Sequence, residues 1–107
     1  MISETSIVKG NSVNNQVTVD GEVLSPSRSQ NVWDHSPDGF SWGYAGSGPA
    51  QLALALLLET TDGMEAMKYY QAFKWDIIAR LGDGDFTMPA DVIYDWLDKQ
   101  RSSENKT

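Results

Sequence analysis

The hydrophobic pattern is strongest in the middle of the chain, where leucine and alanine occupy every position from Leu52 to Leu58. A helix built from such a run is apolar on all sides, and helices of that kind are buried. Pro49 suits the first helical position, where its missing N–H leaves no bond unmade, and Ser47 or Gly48 would cap the helix. The pattern predicts a buried central helix that begins at Pro49.

Two later segments place apolar residues three and four positions apart, as one face of a helix requires. The first predicts a helix from Met64 to Leu81 that is stopped by Gly82. Its stripe consists of Ala66, Tyr70, Phe73, Ile77 and Leu81, widened by Met67 and Ile78. The second segment predicts a helix that starts at Thr87 and Pro89. Its inner face carries Ile93, Trp96 and Leu97.

Alternating apolar and polar residues indicate β-structure near the N-terminus. Val17 and Val19 alternate with polar residues before Asp20-Gly21, a pair that tolerates the positive φ angles of a two-residue type I′ turn. Residues 7–9 are expected to form another short strand. The polar residues 25–30 are interpreted as a loop, and residues 40–42 as a short extended piece.

Together these elements predict an α+β domain, with a small N-terminal antiparallel β-hairpin or three-stranded sheet packed on three α-helices and the central helix buried. The 107 residues fit a single domain, 1–107, with flexible polar ends at about 1–6 and 99–107. No apolar run approaches the roughly 20 residues of a membrane span, and the N-terminus lacks the pattern of a signal peptide. We therefore expect a soluble, cytoplasmic protein that does not bind membranes.

The net charge is −7, and residues 59–98 hold nine acids against three bases. Binding to nucleic-acid phosphates needs the opposite sign, whereas a basic protein surface would be attracted. The acids also admit a simpler interpretation, as a solvated surface that keeps a small domain soluble. If they form an interface, the candidate partner-binding residues are Glu65, Trp75, Asp76, Asp83, Asp85, Asp91 and Asp95.

The motifs of catalysis and cofactor binding are incomplete. Around Ser47, Ala45 and Pro49 replace the glycines of a hydrolase nucleophile elbow. Gln51 stands where the dinucleotide-binding fingerprint needs its third glycine, and a calcium loop counted from Asp83 lacks its glutamate. The chain has no cysteine, which excludes disulfides and thiolate metal sites, and it has one histidine. The sequence therefore indicates no catalytic residues, no metal site and no cofactor, and it leaves open whether the protein is an enzyme.

The aromatic loop that enters the central helix, residues 31–48, is the best candidate for a ligand site and contains Trp33, Phe40, Trp42 and Tyr44. His35 could serve as a general base, and a helix N-terminus presents free N–H groups to an anion. The alternatives are structural: the histidine ties the loop by hydrogen bonds, a serine or carboxylate fills the helix donors, and the aromatic rings close the core. The candidate ligand-binding residues are His35, Asp38, Trp42, Tyr44, Ser47 and Gly48.

Three motifs together resemble a known family. The hairpin carries V-x-V-x-G-x-x-L at residues 17–24, the sequence HSPDGFSWGYAGSGPAQLALALL follows at residues 35–57, and YYQAFKW lies at residues 69–75. Over roughly residues 16–97, the chain resembles an uncharacterised family of short prokaryotic and viral proteins known as domain of unknown function 6166. The resemblance implies no particular reaction. Occurrence in phage and mobile genomes would fit an accessory or inhibitory role.

Two functional hypotheses follow. The first is a binding protein that acts through protein–protein contacts, such as an anti-CRISPR-like phage inhibitor of a nucleic-acid-handling host defence enzyme. Its acids would occupy a basic groove meant for nucleic acid. The second is a small-ligand, anion-binding or enzymatic site between His35 and Pro49. We favour the first, and the sequence sets neither the partner nor the oligomeric state.

Overall fold

The computed structural model describes residues 2–105, and its strands form one four-stranded antiparallel sheet in the order β3-β2-β1-β4. The strands are β1 (Ile7–Asn11), β2 (Gln16–Val19), β3 (Glu22–Val23) and β4 (Phe86–Pro89). The helices are α1 (Ser27–Val32), α2 (Ser47–Thr60), α3 (Gly63–Asp76) and α4 (Asp91–Asn105), with a 3₁₀ turn at Ile78–Arg80. The predicted α+β class is confirmed, with three strands from the N-terminal region. A fourth strand and a fourth helix were not predicted.

Helix α2 is the centre of the fold, as the sequence predicts. Every residue from Gly48 to Leu58 is buried, because α1, α3, α4 and the 3₁₀ turn all pack on it. Its predicted start is wrong by two residues, since the helix begins at Ser47. Gly46 is the N-cap and contributes no side chain; its carbonyl accepts a hydrogen bond from the Ala50 N–H at 3.0 Å.

The predicted turn between β2 and β3 is confirmed. Asp20 has a φ of 51° and Gly21 a φ of 84°, and the turn pairs Val19 with Glu22. Positive φ at both central residues matches the right-handed twist of the flanking strands. The turn therefore fixes the register of the hairpin.

Strand β4 corrects the prediction that Thr87 and Pro89 start a helix. Phe86 and Met88 are buried and the residues that follow each are exposed, which is the period of a strand. Pro89 is tolerated because β4 lies at the edge of the sheet. The last helix begins instead at Asp91, and its predicted inner residues are confirmed as buried: Ile93, Trp96 and Leu97.

Two further predictions, on helix α1 and on the end of α3, are corrected, and a third segment forms no regular element. Residues 27–32, within and beyond the predicted loop 25–30, form α1, which has no apolar stripe and buries only Ser29. The helix predicted to reach Leu81 ends at Asp76, and Ile78 is buried from the 3₁₀ turn instead. Residues 40–42 form no strand.

The ends of the described chain make definite contacts. Ile2 is buried and its carbonyl accepts a hydrogen bond from the Tyr94 hydroxyl at 2.9 Å, while α4 continues to Asn105. Whether these ends are flexible stays a prediction, and residues 1, 106 and 107 lie outside the described range. None of the helices within residues 2–105 has the length and apolar character that a bilayer crossing needs.

Candidate functional site

A single buried glutamine anchors the aromatic loop. Gln51, in α2, is fully buried. Its Oε1 accepts hydrogen bonds from the backbone N–H groups of His35 (2.7 Å) and Ser36 (3.0 Å). Its Nε2 donates to Ser29 Oγ (2.9 Å) and to the Trp33 carbonyl (3.1 Å). All four positions of the amide are thereby filled, so one side chain joins the loop and α1 to the central helix.

His35 lies between the loop and α3. Its Nε2 is 2.7 Å from the Tyr70 hydroxyl oxygen, and the ring tautomer determines which of the two donates. Partial burial and the positive charge of Lys74 lower the pKa of His35, against an opposing effect of Asp34. The ring is therefore predominantly neutral at neutral pH, and its hydrogen bond ties the loop to α3.

Trp42 belongs to the core. Its Nε1 donates to the Gly84 carbonyl at 2.8 Å, and its ring meets the edge of Phe86 with centroids 4.9 Å apart. Gly10 leaves space for both rings, because a Cβ there would lie 2.1 Å from Phe86 and 2.9 Å from Trp42. The side chain therefore stabilises the contact between the loop and the sheet.

The start of α2 is covered by the loop that precedes it. A Cβ on Gly48 would lie 1.9 Å from Ser41 Oγ, so the serine occupies the space above that glycine. Ser41 Oγ and the Tyr44 hydroxyl oxygen are 2.8 Å apart and share a hydrogen bond. Ser47 is exposed in the first turn. The loop therefore packs directly on the helix N-terminus.

The contacts of the six candidate ligand-binding residues divide them among separate surroundings. Asp38 is exposed in a turn that is closed by a 3.2 Å hydrogen bond from the Gly39 N–H to the Ser36 carbonyl. His35 contacts α3, and Trp42 lies in the core. Ser47 and Gly48 form the first turn of α2, and the Tyr44 ring lies beside Gly46, the N-cap of that helix. Within residues 2–105, no three histidine or carboxylate side chains are arranged to hold a metal ion. A small-ligand site here stays a prediction.

Two tryptophans lie at the surface, Trp33 beside His35 and Trp75 beside Lys74. Trp33 is 55% exposed and stacks on His35, with centroids 5.8 Å apart and planes inclined by 20°. Trp75 is 61% exposed, and Lys74 Nζ lies 5.1 Å from its ring centroid. Lys74 is also close enough to His35 to lower the pKa of that ring. These residues, Trp33, His35, Lys74 and Trp75, form what we call the tryptophan surface.

Two of the acids singled out in the sequence are bound within the protein. Asp76 Oδ2 accepts a hydrogen bond from Trp96 Nε1 at 2.8 Å. Asp85 Oδ1 accepts from the Ser12 N–H at 2.7 Å and from its hydroxyl at 2.8 Å, and these bonds lower the pKa of Asp85. These hydrogen bonds give Asp76 and Asp85 a structural role within the fold. Asp76 and Asp85 are nevertheless exposed, as are the other candidates Asp83, Asp91, Asp95 and Trp75.

Glu65 joins α3 to the last helix. Arg101 Nε and one terminal nitrogen donate to its two carboxylate oxygens at 2.9 Å and 2.6 Å, and Thr61 donates a further hydrogen bond. The hydrogen bonds from Arg101, and then from Thr61, lower the pKa of Glu65 from 4.5 to about 2. The pair therefore holds a part of α4 that the sequence predicted to be flexible.

The stability that Glu65 contributes is expected to depend on pH. Because its pKa is lower in the folded protein, the contribution is complete above about pH 4.5 and is lost as the pH falls toward about 2. At neutral pH, we expect Glu65→Gln to unfold at a lower urea concentration than the wild type. The loss in the free energy of unfolding should be at most about 1 kcal/mol, because the pair is partly solvated. The difference in stability between the wild type and Glu65→Gln should become smaller as the pH is lowered. An unchanged difference at about pH 2 would contradict the assignment, and Asp83→Asn, at an exposed acid, is the control.

The comparisons with known proteins give one match. The model of a family of unknown function, DUF6166, matches residues 8–99. Searches of the curated proteins and of the solved structures found no significant match. The match runs from the second residue of β1 through most of α4 and so includes the loop, Gln51 and the tryptophan surface.

Proposed function

The chain belongs to the family of unknown function DUF6166, and we propose that it is a binding protein that acts through protein–protein contacts. The observation that carries the proposal is the tryptophan surface. The fold buries Trp42 and Trp96 to 6% and 7% exposure but leaves Trp33 and Trp75 more than half exposed. Trp33 and Trp75 are among the large apolar side chains that the fold leaves exposed, and tryptophan is one of the residues enriched at the energetic centres of interfaces.

The tryptophan surface is prepared for binding before a partner arrives. Gln51 holds the Trp33 carbonyl, and His35 supports the Trp33 ring by stacking. The ammonium group of Lys74 lies over the Trp75 ring. Side chains already ordered in the free protein lose less conformational entropy on association, which favours affinity. The surface therefore combines large apolar area with limited freedom.

The charge of the protein favours a basic partner. The net charge is −7, and Asp83, Asp91 and Asp95 are exposed. Complementary charge accelerates association and selects the partner more than it adds affinity. As the finer form of this proposal, the partner is a nucleic-acid-handling host defence enzyme that the protein inhibits, as an anti-CRISPR-like protein of a phage or mobile element would. The excess acidity is its support.

The proposal is tested by comparing capture by the wild type with capture by Trp33→Ala/Trp75→Ala. Immobilised protein is exposed to lysate of the source cells, and the bound proteins are quantified by mass spectrometry. We expect a basic protein that binds the wild type and is lost from the double variant. With the purified partner, loss of one central tryptophan should weaken binding about thirtyfold. Added salt should weaken it further.

Val13→Ala is the matched control, since Val13 is 94% exposed and lies in the loop between β1 and β2. It should bind like the wild type. Partners that bind the double variant as tightly as the wild type would show that the tryptophan surface is not the contact. The inhibitor form requires that the captured partner be a nucleic-acid-processing enzyme whose activity falls when the protein is added.

A further inference from the structure

A groove runs between the edge strand β3 and the C-terminal half of α2. One part is a cavity of about 220 Å³ with an apolar floor of Leu24, Ala55 and Leu58. The adjoining part, about 240 Å³, is lined by three carboxylates, Asp20, Glu22 and Glu59. Val23, Leu24 and Glu59 line both parts, so the two form one continuous groove. None of these residues belongs to the tryptophan surface.

The groove lies beside unpaired backbone groups of the sheet. Strand β3 is the last in the order β3-β2-β1-β4, so one of its sides is open. Val19 faces Glu22 across the two-residue turn, and the Leu24 N–H donates to the Val17 carbonyl at 2.8 Å. Hydrogen-bonded and non-bonded pairs alternate in antiparallel sheets, so Val23, between these bonded residues, directs its N–H and carbonyl away from β2. The open side therefore offers one donor and one acceptor.

The charges along the groove restrict what it can accept. The acidic part has no cation among its described lining residues. Arg28 pairs with Glu59 at 2.6 Å and lines the apolar part. Carboxylates beside an apolar floor are complementary to a chain that carries an apolar side chain and a lysine or arginine close together.

We infer that this groove binds an extended segment of a partner protein, which adds a strand to β3 and carries an apolar residue and a basic residue on one face. Residues two apart in a strand point to the same side, so the segment has the form apolar-x-basic or its reverse. Main-chain hydrogen bonds to Val23 supply part of the affinity, and the two parts of the groove supply the specificity. The inference is independent of the tryptophan surface.

The test uses defined peptides and the full chain. The probes are acetyl-Thr-Thr-Leu-Thr-Lys-Thr-Thr-amide and the peptide with Leu and Lys exchanged, added up to about 1 mM, where weak segments bind. We expect ¹H–¹⁵N and methyl spectra to shift at the Val23 amide and the Leu58 methyls for at least one probe. Replacing the lysine by glutamate should weaken binding at least about tenfold, because like charges then face each other. No shift at these positions with either probe would overturn the inference.

Two variants, each with a control, separate the contribution of the main-chain hydrogen bonds from that of the acidic side chains. Val23→Pro removes the outward N–H without removing a bond to β2 and should weaken binding about three- to tenfold, whereas Val23→Thr should not. Glu22→Gln should weaken the lysine peptide, and Glu4→Gln, at an exposed acid outside the groove, should not. If Val23→Pro does not fold, Glu22→Gln and the glutamate peptide still decide. Wild-type affinity in folded Val23→Pro and in Glu22→Gln would overturn the inference. Concentration-dependent shifts at Val23 without peptide would also overturn it, because they would indicate a second copy of the chain as the occupant.

Discussion

Replacing Gln51 with leucine is expected to lower the free energy of unfolding by about 2–4 kcal/mol. Leucine has a similar volume but no polar atoms, so the N–H groups of His35 and Ser36 lose their acceptor and the Trp33 carbonyl loses its donor. A polar group left unpaired away from water costs about 1–3 kcal/mol, and partial solvent access of the loop moderates the sum. Urea unfolding followed by tryptophan fluorescence measures the change.

Gln71→Leu is the matched control for this substitution. Gln71 is exposed on α3, and the same chemical change there should alter stability by no more than about 0.5 kcal/mol. We also expect faster amide exchange at His35 and Ser36 in Gln51→Leu, because their N–H groups are released. A Gln51→Leu protein as stable as the control would mean that the loop is held by its other contacts.

Gly43→Ala is expected to destabilise the protein by about 3 kcal/mol, from two independent causes. Gly43 has a φ of 86°, a conformation that an L-residue with a side chain adopts at a cost of about 1–2 kcal/mol. A Cβ there would also lie 2.3 Å from the Gly82 carbonyl oxygen, a backbone atom that cannot rotate away. Thermal unfolding should show the loss as a lower midpoint.

Two neighbouring glycines separate these causes. Gly82 has a φ of 81°, and a Cβ there would meet no atom within 4 Å, so Gly82→Ala should cost only the conformational part, about 1–2 kcal/mol. Gly84 has neither feature, and Gly84→Ala should be neutral or slightly stabilising, since alanine restricts the unfolded chain. If Gly43→Ala and Gly82→Ala destabilise the protein equally, the backbone at Gly82 can move away from a Cβ on Gly43 without measurable cost.

The parts of the fold with a local cause could be predicted from the sequence. The apolar run of α2 has no side that could face water, and Asp20-Gly21 has few alternatives to a tight turn. Strand β4 could not be predicted in the same way, because its partner β1 lies near the other end of the chain. Phe86 and Met88 alternate with polar positions, but Thr87 and Pro89 also match a helix start. The pairing of β4 with β1 determined that residues 86–89 form a strand and not the start of a helix.

The candidate site was less predictable because it depends on which loop residue meets which element. Gln51 is the one polar residue between Gly48 and Leu58 of α2, and a polar side chain in such a run is a signal of a buried hydrogen-bonding role. The sequence also placed Trp33 and Trp42 in the same loop. It could not show that Gly10, in β1, leaves room for Trp42, while Trp33 remains at the surface.

The pairing of β4 with β1 has a consequence for how the protein is made. While the ribosome extends the chain, the first three strands can pair among themselves, but the far side of β1 has no partner until residues 86–89 emerge. An open strand edge is adhesive toward other chains, and contacts between distant segments form late. The far edge of β1 is therefore open to aggregation during translation until β4 covers it, and chaperones that attend nascent chains would protect the chain in that interval.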